Sequence, residues 1–229
     1  MNYYLAQKEK LLKGHQQMME LARPYLTERY GAELADTAVA QSTIEFEQLI
    51  PEIPYIGGKA NSMTDTLVQM ATLLALYRVL KRQGKPVAEI GQLAQEMAQA
   101  WVDQYPQFLR RLIGRYYFSA FNRRRLAQKA DTLRQQQYPG DFVREVVEGG
   151  PDDDFAWGVN YLECGVVKFF AAQDAAEFSP FMCEIDYLIF PALSIDLQRT
   201  GTIAQGCSHC DFRFRQKRKK SDFSKKSDF

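Results

Sequence analysis

The chain has 229 residues, is 46% hydrophobic and 25% charged, and carries a formal net charge of +1. These are the values of a soluble globular protein long enough to bury a sizeable core. No apolar run reaches the ~18 residues that span a bilayer, so no membrane partner is expected. Nucleic acid is not expected either, and with no basic-then-apolar leader at Met1 the expected location is cytoplasmic.

In chain order, residues 3–30 read as a helix with Leu11, Met18, Met19 and Leu21 on an apolar face and Gly31 past its end. His15 stands alone on this polar helix and reads as a surface residue. A second helix is expected over 32–49. The Pro51–Gly58 cluster breaks it, and Asn61 or Ser62 can cap the next. Leu67, Met70, Ala71, Leu74 and Tyr77 recur at helical spacing within 63–82, and Gly84 and Pro86 end that helix. Further helices follow at 87–104 and 106–120, then a polar one from Arg123 to Gln137 that could pack over a site.

From Tyr138 the character changes. Phe142–Glu148 and Phe155–Cys164 read as a hairpin around an acidic turn. Gly165–Glu177 suits a short helix. Ser179-Pro180 opens another, which runs to Phe190 and stops at Pro191. Ile195–Ile203 and Cys210–Arg215 supply two more strands. The expectation is an α+β fold: a helical N-terminal half followed by a small antiparallel sheet in β-β-α-α-β-β order. Residues 1–137 form the helical region and 138–215 an α+β region packed with it as one unit. Residues 216–229 form a disordered basic tail, because residues 213–229 hold eight Lys or Arg against two Asp and repeat KKSDF.

The four cysteines, at 164, 183, 207 and 210, all fall in the last third. Without an export signal, free thiols in catalysis or metal binding are the expectation rather than disulfides. Cys183 and Asp186 are three apart on the helix opened by Ser179-Pro180 and share a face. Cys183 is placed in its first turn, where the dipole favours a thiolate. The bland alternative is a small buried hydrophobe. Cys210 opens a strand whose alternation sends Cys210, Phe212 and Phe214 to one side and Asp211 and Arg213 to the other. Cys210 then faces a pocket, while Asp211 anchors Arg213 or a neighbouring backbone. Cys164 lies between strand and helix, where ligand-binding groups are often presented. Cys207-x-x-Cys210 has a zinc-knuckle spacing, but Cys164 and Cys183 are 19 residues apart and make no second close pair, so no metal is expected. In the Pro51–Asn61 loop, Gly57 and Gly58 permit close approach to a ligand and Asn61 offers donor and acceptor.

The segment Arg199-Thr-x-Thr-Ile-Ala-x-Gly-x3-Cys210-Asp-Phe-Arg-Phe214 resembles the C-terminal signature of the L-2-amino-thiazoline-4-carboxylic acid hydrolase family. Pro51-x-Ile-Pro-Tyr-Ile-Gly-Gly-x-x-Asn61 and Phe181-Met-Cys-Glu-Ile-Asp-Tyr187 are similar to two further passages of that family. The resemblance implies a hydrolase that opens a cyclic amidine or isothiourea ring at its C–N or C–S bond, giving an N-carbamoyl cysteine; no cofactor is expected. It implies roles for Cys183 with Asp186, for Cys210, and for Cys164. It also makes the Pro51–Asn61 loop a substrate contact. On these residues Cys183 or Cys210 would attack the ring, Asp186 would hold the amidinium and move protons, and Arg199 or Lys59 would pair with the substrate carboxylate, with Tyr55 and Asp211 as further contacts. A version in which Asp activates water is equally open. A sensor or binding module that uses the same pocket without turnover is the alternative. A homodimer through the long N-terminal helices is a further expectation.

Overall fold

The computed structural model describes residues 2–134 and 138–216. Residues 217–229 of the expected basic tail and the end of the polar helix at 135–137 lie outside the described residues, and Gln216, expected to open the tail, is instead the last residue of a strand. Six helices come first: α1 (Lys8–Tyr30), α2 (Ala32–Leu49), α3 (Thr64–Arg82), α4 (Val87–Asp103), α5 (Gln107–Tyr117) and α6 (Ala120–Arg134). Then come β1 (Val143–Glu148), β2 (Trp157–Glu163), α7 (Gly165–Ala172), α8 (Ser179–Glu184), α9 (Asp186–Ala192), β3 (Ile195–Gln198) and β4 (Cys210–Gln216). The four strands form one antiparallel sheet in the order β1-β2-β4-β3. The α+β expectation holds.

Three details differ from the sequence reading. The single helix expected from Ser179 to Phe190 is divided at Ile185 into α8 and α9, and Pro191 sits inside α9 rather than ending it. Pro191 is the second-last residue of α9, so the one backbone bond its missing N–H removes falls at the end of the helix and interrupts no further turn. The strand expected over Ile195–Ile203 stops at Gln198. Beyond it the chain is captured by side chains of β4 instead of by its ladder. The polar helix α6 packs on the outer strand β1 rather than over the cavity described below.

Two apolar clusters organise the molecule. The larger joins α1–α4 to Phe142, α7, α8 and Ile185, with Phe46, Leu74, Phe170 and Phe178 fully buried. The smaller lies on one face of the sheet, where Trp157 and Val159 of β2, Leu197 of β3, and Cys210, Phe212 and Phe214 of β4 meet Tyr117, Phe118 and Phe190. Alternation along β4 is as expected: Cys210, Phe212 and Phe214 are buried, and Asp211, Arg213 and Arg215 are not.

His15 is not a surface residue. It is 1% exposed, stacks flat on Phe46 of α2 at 4.6 Å, and its Nε2 lies 3.3 Å from Ser42 Oγ. The reason is helical spacing: His15 shares a face with Met19, Ala22 and Leu26, all fully buried. Burial lowers its pKa to about 4, so it folds as the neutral imidazole. Its contribution to stability is present above the unfolded value near 6.5 and is lost as pH falls toward 4. We predict that replacing the titrating ring, His15→Gln, flattens the fall in unfolding free energy between pH 6.5 and 4 by up to roughly 3 kcal/mol relative to the parent. Denaturant titrations of both proteins across that range check this.

Candidate active site

Between the two clusters lies a cavity of about 440 Å³. Its helical wall is apolar, with Met63, Met70, Met97 and Trp101 among the lining side chains. Its opposite wall is the sheet face carrying Tyr161, Cys210 and Phe212, joined by Cys164, Cys183, Asp186 and Arg199. Three thiols, one carboxylate and one guanidinium therefore share one largely apolar space.

The polar centre is an ion pair. Arg199 Nη1 donates to Asp186 Oδ2 at 2.7 Å, and Nη2 donates to the Cys183 carbonyl at 2.8 Å. The guanidinium lies 4.9 Å from the ring centres of both Tyr187 and Phe212, a cation–π arrangement that suits a weakly hydrated cation. The Arg199 side chain is 2% exposed, whereas Asp186 keeps 34% of its side-chain surface and lines the cavity. Arginine is thus sealed behind the carboxylate it holds. Burial raises the Asp186 carboxyl to about 6, with Arg199 pulling against it. Near neutral pH it is mostly ionised and still basic enough to accept a proton.

All three cavity thiols are shifted upward by burial. Cys164 is pushed up to about 11, although the first-turn amides of Val166 and Val167 favour its ionised form. Cys183 is pushed up to about 12, with Cys164, Asp186 and Cys210 adding to the effect and Arg199 opposing it. Cys210 is raised too, against the pull of the Ile203 amide and Arg199. Asp186 opposes ionisation of every one of these thiols, which places it among them. The expectation of a dipole-stabilised thiolate at Cys183 is corrected: Cys183 is the fifth residue of the six-residue α8, not part of its first turn. The helix N-terminus is at Cys164 instead, which is the N-cap of α7.

Cys210 and Asp211 secure the return loop from both faces of β4. The Ile203 N–H donates to Cys210 Sγ at 3.2 Å. On the other face, Asp211 accepts from the Thr200 N–H (2.9 Å), the Thr200 hydroxyl (2.7 Å) and the Gly201 N–H (3.0 Å). Those bonds hold the Asp211 carboxyl below the usual carboxylate range against burial, which pushes it up. So Cys210 faces the cavity and Asp211 anchors neighbouring backbone, as alternation implied. As a substrate contact Asp211 does not reach the cavity wall. Arg213 pairs with Asn160 instead.

The Pro51–Asn61 loop is elsewhere. Asn61 Nδ2 donates to the Ile56 carbonyl (2.8 Å) and to both Asp141 oxygens (3.0 and 2.8 Å), and its Oδ1 accepts from the Met63 N–H. Asn61 is the clasp of its own loop. Gly57 and Gly58 have φ of +103° and +57°, and a Cβ on Gly58 would come within 2.7 Å of the Tyr3 ring. Glycine at 58 is therefore explained by the approach of Tyr3. Tyr55 packs against Tyr3 and Tyr138, and with Lys59 it borders a separate surface groove. None of these five residues lines the cavity.

Cys207 is exposed while Cys210 is buried, and among the described residues no group of three or more His, Cys, Asp or Glu is arranged to hold a metal. Sequence reasoning missed Tyr161 and Arg144. Tyr161 was legible from alternation with Val159 and Trp157 along β2. Arg144 was not, because a register shift turns it inward.

The chain matches the family model of L-2-amino-thiazoline-4-carboxylic acid hydrolase over residues 65–214. It belongs to this hydrolase family. The matched residues contain Cys164, Cys183, Asp186, Arg199 and Cys210, the groups that the fold gathers at the cavity, and begin after the Pro51–Asn61 loop. No curated protein and no solved structure matches. No helix among the described residues is long and apolar enough to cross a membrane.

Removing Arg199 would leave Asp186 without its counter-charge and free the Cys183 carbonyl in an apolar wall. We predict that Arg199→Met destabilises the fold by about 3 kcal/mol at pH 7, the cost of breaking rather than replacing a buried pair. The loss shrinks at pH 5, where the isolated carboxyl takes up a proton. Urea unfolding at the two pH values measures both.

Proposed function

We propose that the protein hydrolyses a small cyclic amidine or isothiourea of the 2-amino-thiazoline-4-carboxylate class, using Cys210 as nucleophile and Asp186 as the proton-transfer group. The observation that carries this reading is the Asp186–Arg199 pair opening, together with three thiols, onto one apolar cavity inside the family-matched region. A volume of about 440 Å³ suits a small molecule rather than a polymer.

The proton energetics favour a thiol over water as the attacking group. Even a thiol raised by burial, such as Cys164 at about 11, releases its proton to a carboxylate more readily than water, at ~15.7, does. Among the three, Cys210 has an amide N–H directed at its sulfur and the Arg199 charge favouring its thiolate. In the proposed course the Cys210 proton passes to Asp186 as sulfur bonds to the ring carbon between S and N. The ring C–S bond breaks, and the departing sulfur takes the proton back from Asp186. Water then adds to the S-linked isothiourea carbon, giving one proton to the nitrogen through Asp186. Cys210 leaves with the other, and the product is the N-carbamoyl thiol. Arg199 keeps Asp186 oriented and its charge balanced, acting as a positioning residue rather than the carboxylate partner. Apolar walls exclude bulk water, so the adduct forms where the fixed Asp–Arg dipole acts in low dielectric.

Turnover of L-2-amino-thiazoline-4-carboxylate, followed by mass spectrometry, tests the reading. We expect Cys210→Ser to lower kcat at least 100-fold, against less than 10-fold for Cys164→Ser and Cys183→Ser. If only Asp186→Asn abolishes turnover, water is the nucleophile and the thiols shape the pocket. Tight binding without turnover by the parent protein would instead establish a sensor that uses the same cavity.

The free protein's kcat/KM should rise with pH through an apparent pKa near 6, as Asp186 loses its proton and becomes a base. A profile flat between pH 5 and 7 would remove Asp186 from that role.

A further inference from the structure

The active cavity contains an ion pair that balances itself, so nothing in it yet recognises an anion. Lys59 borders another groove, and Arg199 is committed to Asp186 and the Cys183 carbonyl. A second arginine lies against the cavity wall. Arg144 of β1 is 4% exposed, and among the described residues its Nε and Nη2 have no hydrogen-bond partner. Its Nη1 is directed at the Met63 thioether, 3.9 Å away. Met63 lines the cavity, as does Tyr161, the residue paired with Arg144 across the sheet.

The way Arg144 reaches this position is specific. β1 and β2 are in register from Glu148↔Trp157 back to Arg144↔Tyr161, and the next pair is Val143↔Glu163. One residue of β2, Leu162, is therefore skipped. Continuing in register from Val143, Arg144 would have faced Leu162, whose side chain is 40% exposed on the outer surface. The bulge instead puts Arg144 opposite Tyr161, and Tyr161 is itself opposite Cys210. Directly paired residues project from the same face, so Arg144, Tyr161 and Cys210 form one row across three strands on the cavity side. Bulges beside functional sites commonly re-aim one side chain in this manner.

An arginine in such a place is costly without a counter-charge. Asp141 feels its charge, yet its oxygens are engaged by Asn61 and the Phe142 N–H, and it makes no ion pair with Arg144. The Tyr161 hydroxyl interacts with the guanidinium by hydrogen bonding as well as by charge, and Tyr117 by charge alone, but burial keeps both phenols protonated, so neither supplies a counter-charge. The cavity region thus holds two guanidinium groups against one cavity-facing carboxylate.

We propose that Arg144, with the Tyr161 hydroxyl, is the anion-binding subsite of this cavity and receives the carboxylate of the substrate, the flexible Met63 side chain moving aside to admit it. This inference rests on the hydrolase reading for the identity of the ring, and adds which end of the molecule goes where. Arg144 and Cys210 are two strand spacings apart, roughly 10 Å along the sheet. An arginine side chain reaching inward leaves room for a ligand whose carboxylate lies a few bonds from its electrophilic carbon. The substrate class is then a small monocarboxylate with an amidine end: carboxylate at Arg144, amidine at Asp186. The guanidinium fork suits a carboxylate in two-point contact.

The test compares two probes by calorimetry: L-2-amino-thiazoline-4-carboxylate, and 2-amino-2-thiazoline, which has the ring without the carboxylate. The parent protein should bind the carboxylate at least ten times more tightly. Arg144→Met should reduce that preference below twofold without weakening affinity for the carboxylate-free ring, whose amidinium gains nothing from a second cation nearby, and Arg144→Lys should retain part of the preference. A preference that survives in Arg144→Met overturns the proposal. The Tm of the unliganded protein gives a second readout. It should stay level or rise in Arg144→Met, since an unpaired buried cation has been removed; a clear fall would make the guanidinium a structural partner and also overturn the assignment. If the parent binds neither ring, the hydrolase reading fails on its own. The subsite is then judged by thermal shift with N-acetylalanine and its amide. Stabilisation by the acid alone, lost in Arg144→Met, supports it, and equal shifts with acid and amide sink it.

Discussion

The contact on which the site depends is the one between Arg199 and its two acceptors, the Asp186 carboxylate and the Cys183 carbonyl. It joins three pieces of chain. Arg199 follows the last residue of β3, Cys183 is in the final turn of α8, and Asp186 begins α9. Ile185 separates α8, which carries Cys183, from α9, which carries Asp186, and Arg199 bridges the two helices. A guanidinium can do this because its fork presents two donors at once to acceptors of different kinds; an ammonium in the same place would act as a point charge. The Tyr187 hydroxyl closes the arrangement by donating to the Arg199 carbonyl. Backbone and side chain of one residue are thereby both fixed.

That anchorage explains why the stretch after β3 is loop rather than strand. Once Arg199 turns toward Asp186, its successors no longer follow the β4 ladder. Asp211 and Cys210 gather them instead, through Thr200, Gly201 and Ile203. The same two consecutive residues of β4 serve opposite faces: a carboxylate outside, where three donors satisfy it, and a thiol inside, where one amide reaches it. Alternation along a strand makes both possible without strain.

Much of this was legible from residue order, and the exceptions have identifiable causes. Helix limits followed Gly31, Gly84-Lys-Pro86 and Pro106, because these residues act locally. The burial of Cys210, Phe212 and Phe214 followed from a period of two. Cys183 and Asp186 were expected on one face, and both do line the cavity, although the helix carrying them is broken. His15 was misread because its polarity outweighed its spacing, when Met19, Ala22 and Leu26 at successive helical intervals placed it inside. Asn61, Tyr55 and Lys59 show the opposite limit. A glycine-rich loop looks the same in sequence whether it meets a ligand or, as here, closes on Asp141 and on the aromatic rings of Tyr3 and Tyr138. Only long-range packing distinguishes the two. The inward turn of Arg144 depends on one skipped residue in its partner strand, which no property of β1 alone announces.

The electrostatics of the cavity follow from these placements. A carboxylate raised to about 6 and thiols held protonated by burial describe a cavity with little free charge around Asp186 and the cysteines. The low dielectric that suppresses ionisation there also strengthens any charge that is introduced. At rest Asp186 is restrained by Arg199, while Arg144 lies without a paired carboxylate behind Met63 and beside the Tyr161 hydroxyl, its Nε and Nη2 free of partners among the described residues. A ligand with an anion at one end and an amidine at the other would therefore meet an unsatisfied cation at the first end and a polarised carboxylate at the second. Its own dipole would run along the line that the Arg144–Tyr161–Cys210 row already defines. Under the proposed reading, matching charges would set the orientation before the covalent step and bring the electrophilic carbon to the Cys210 thiol rather than to the apolar wall.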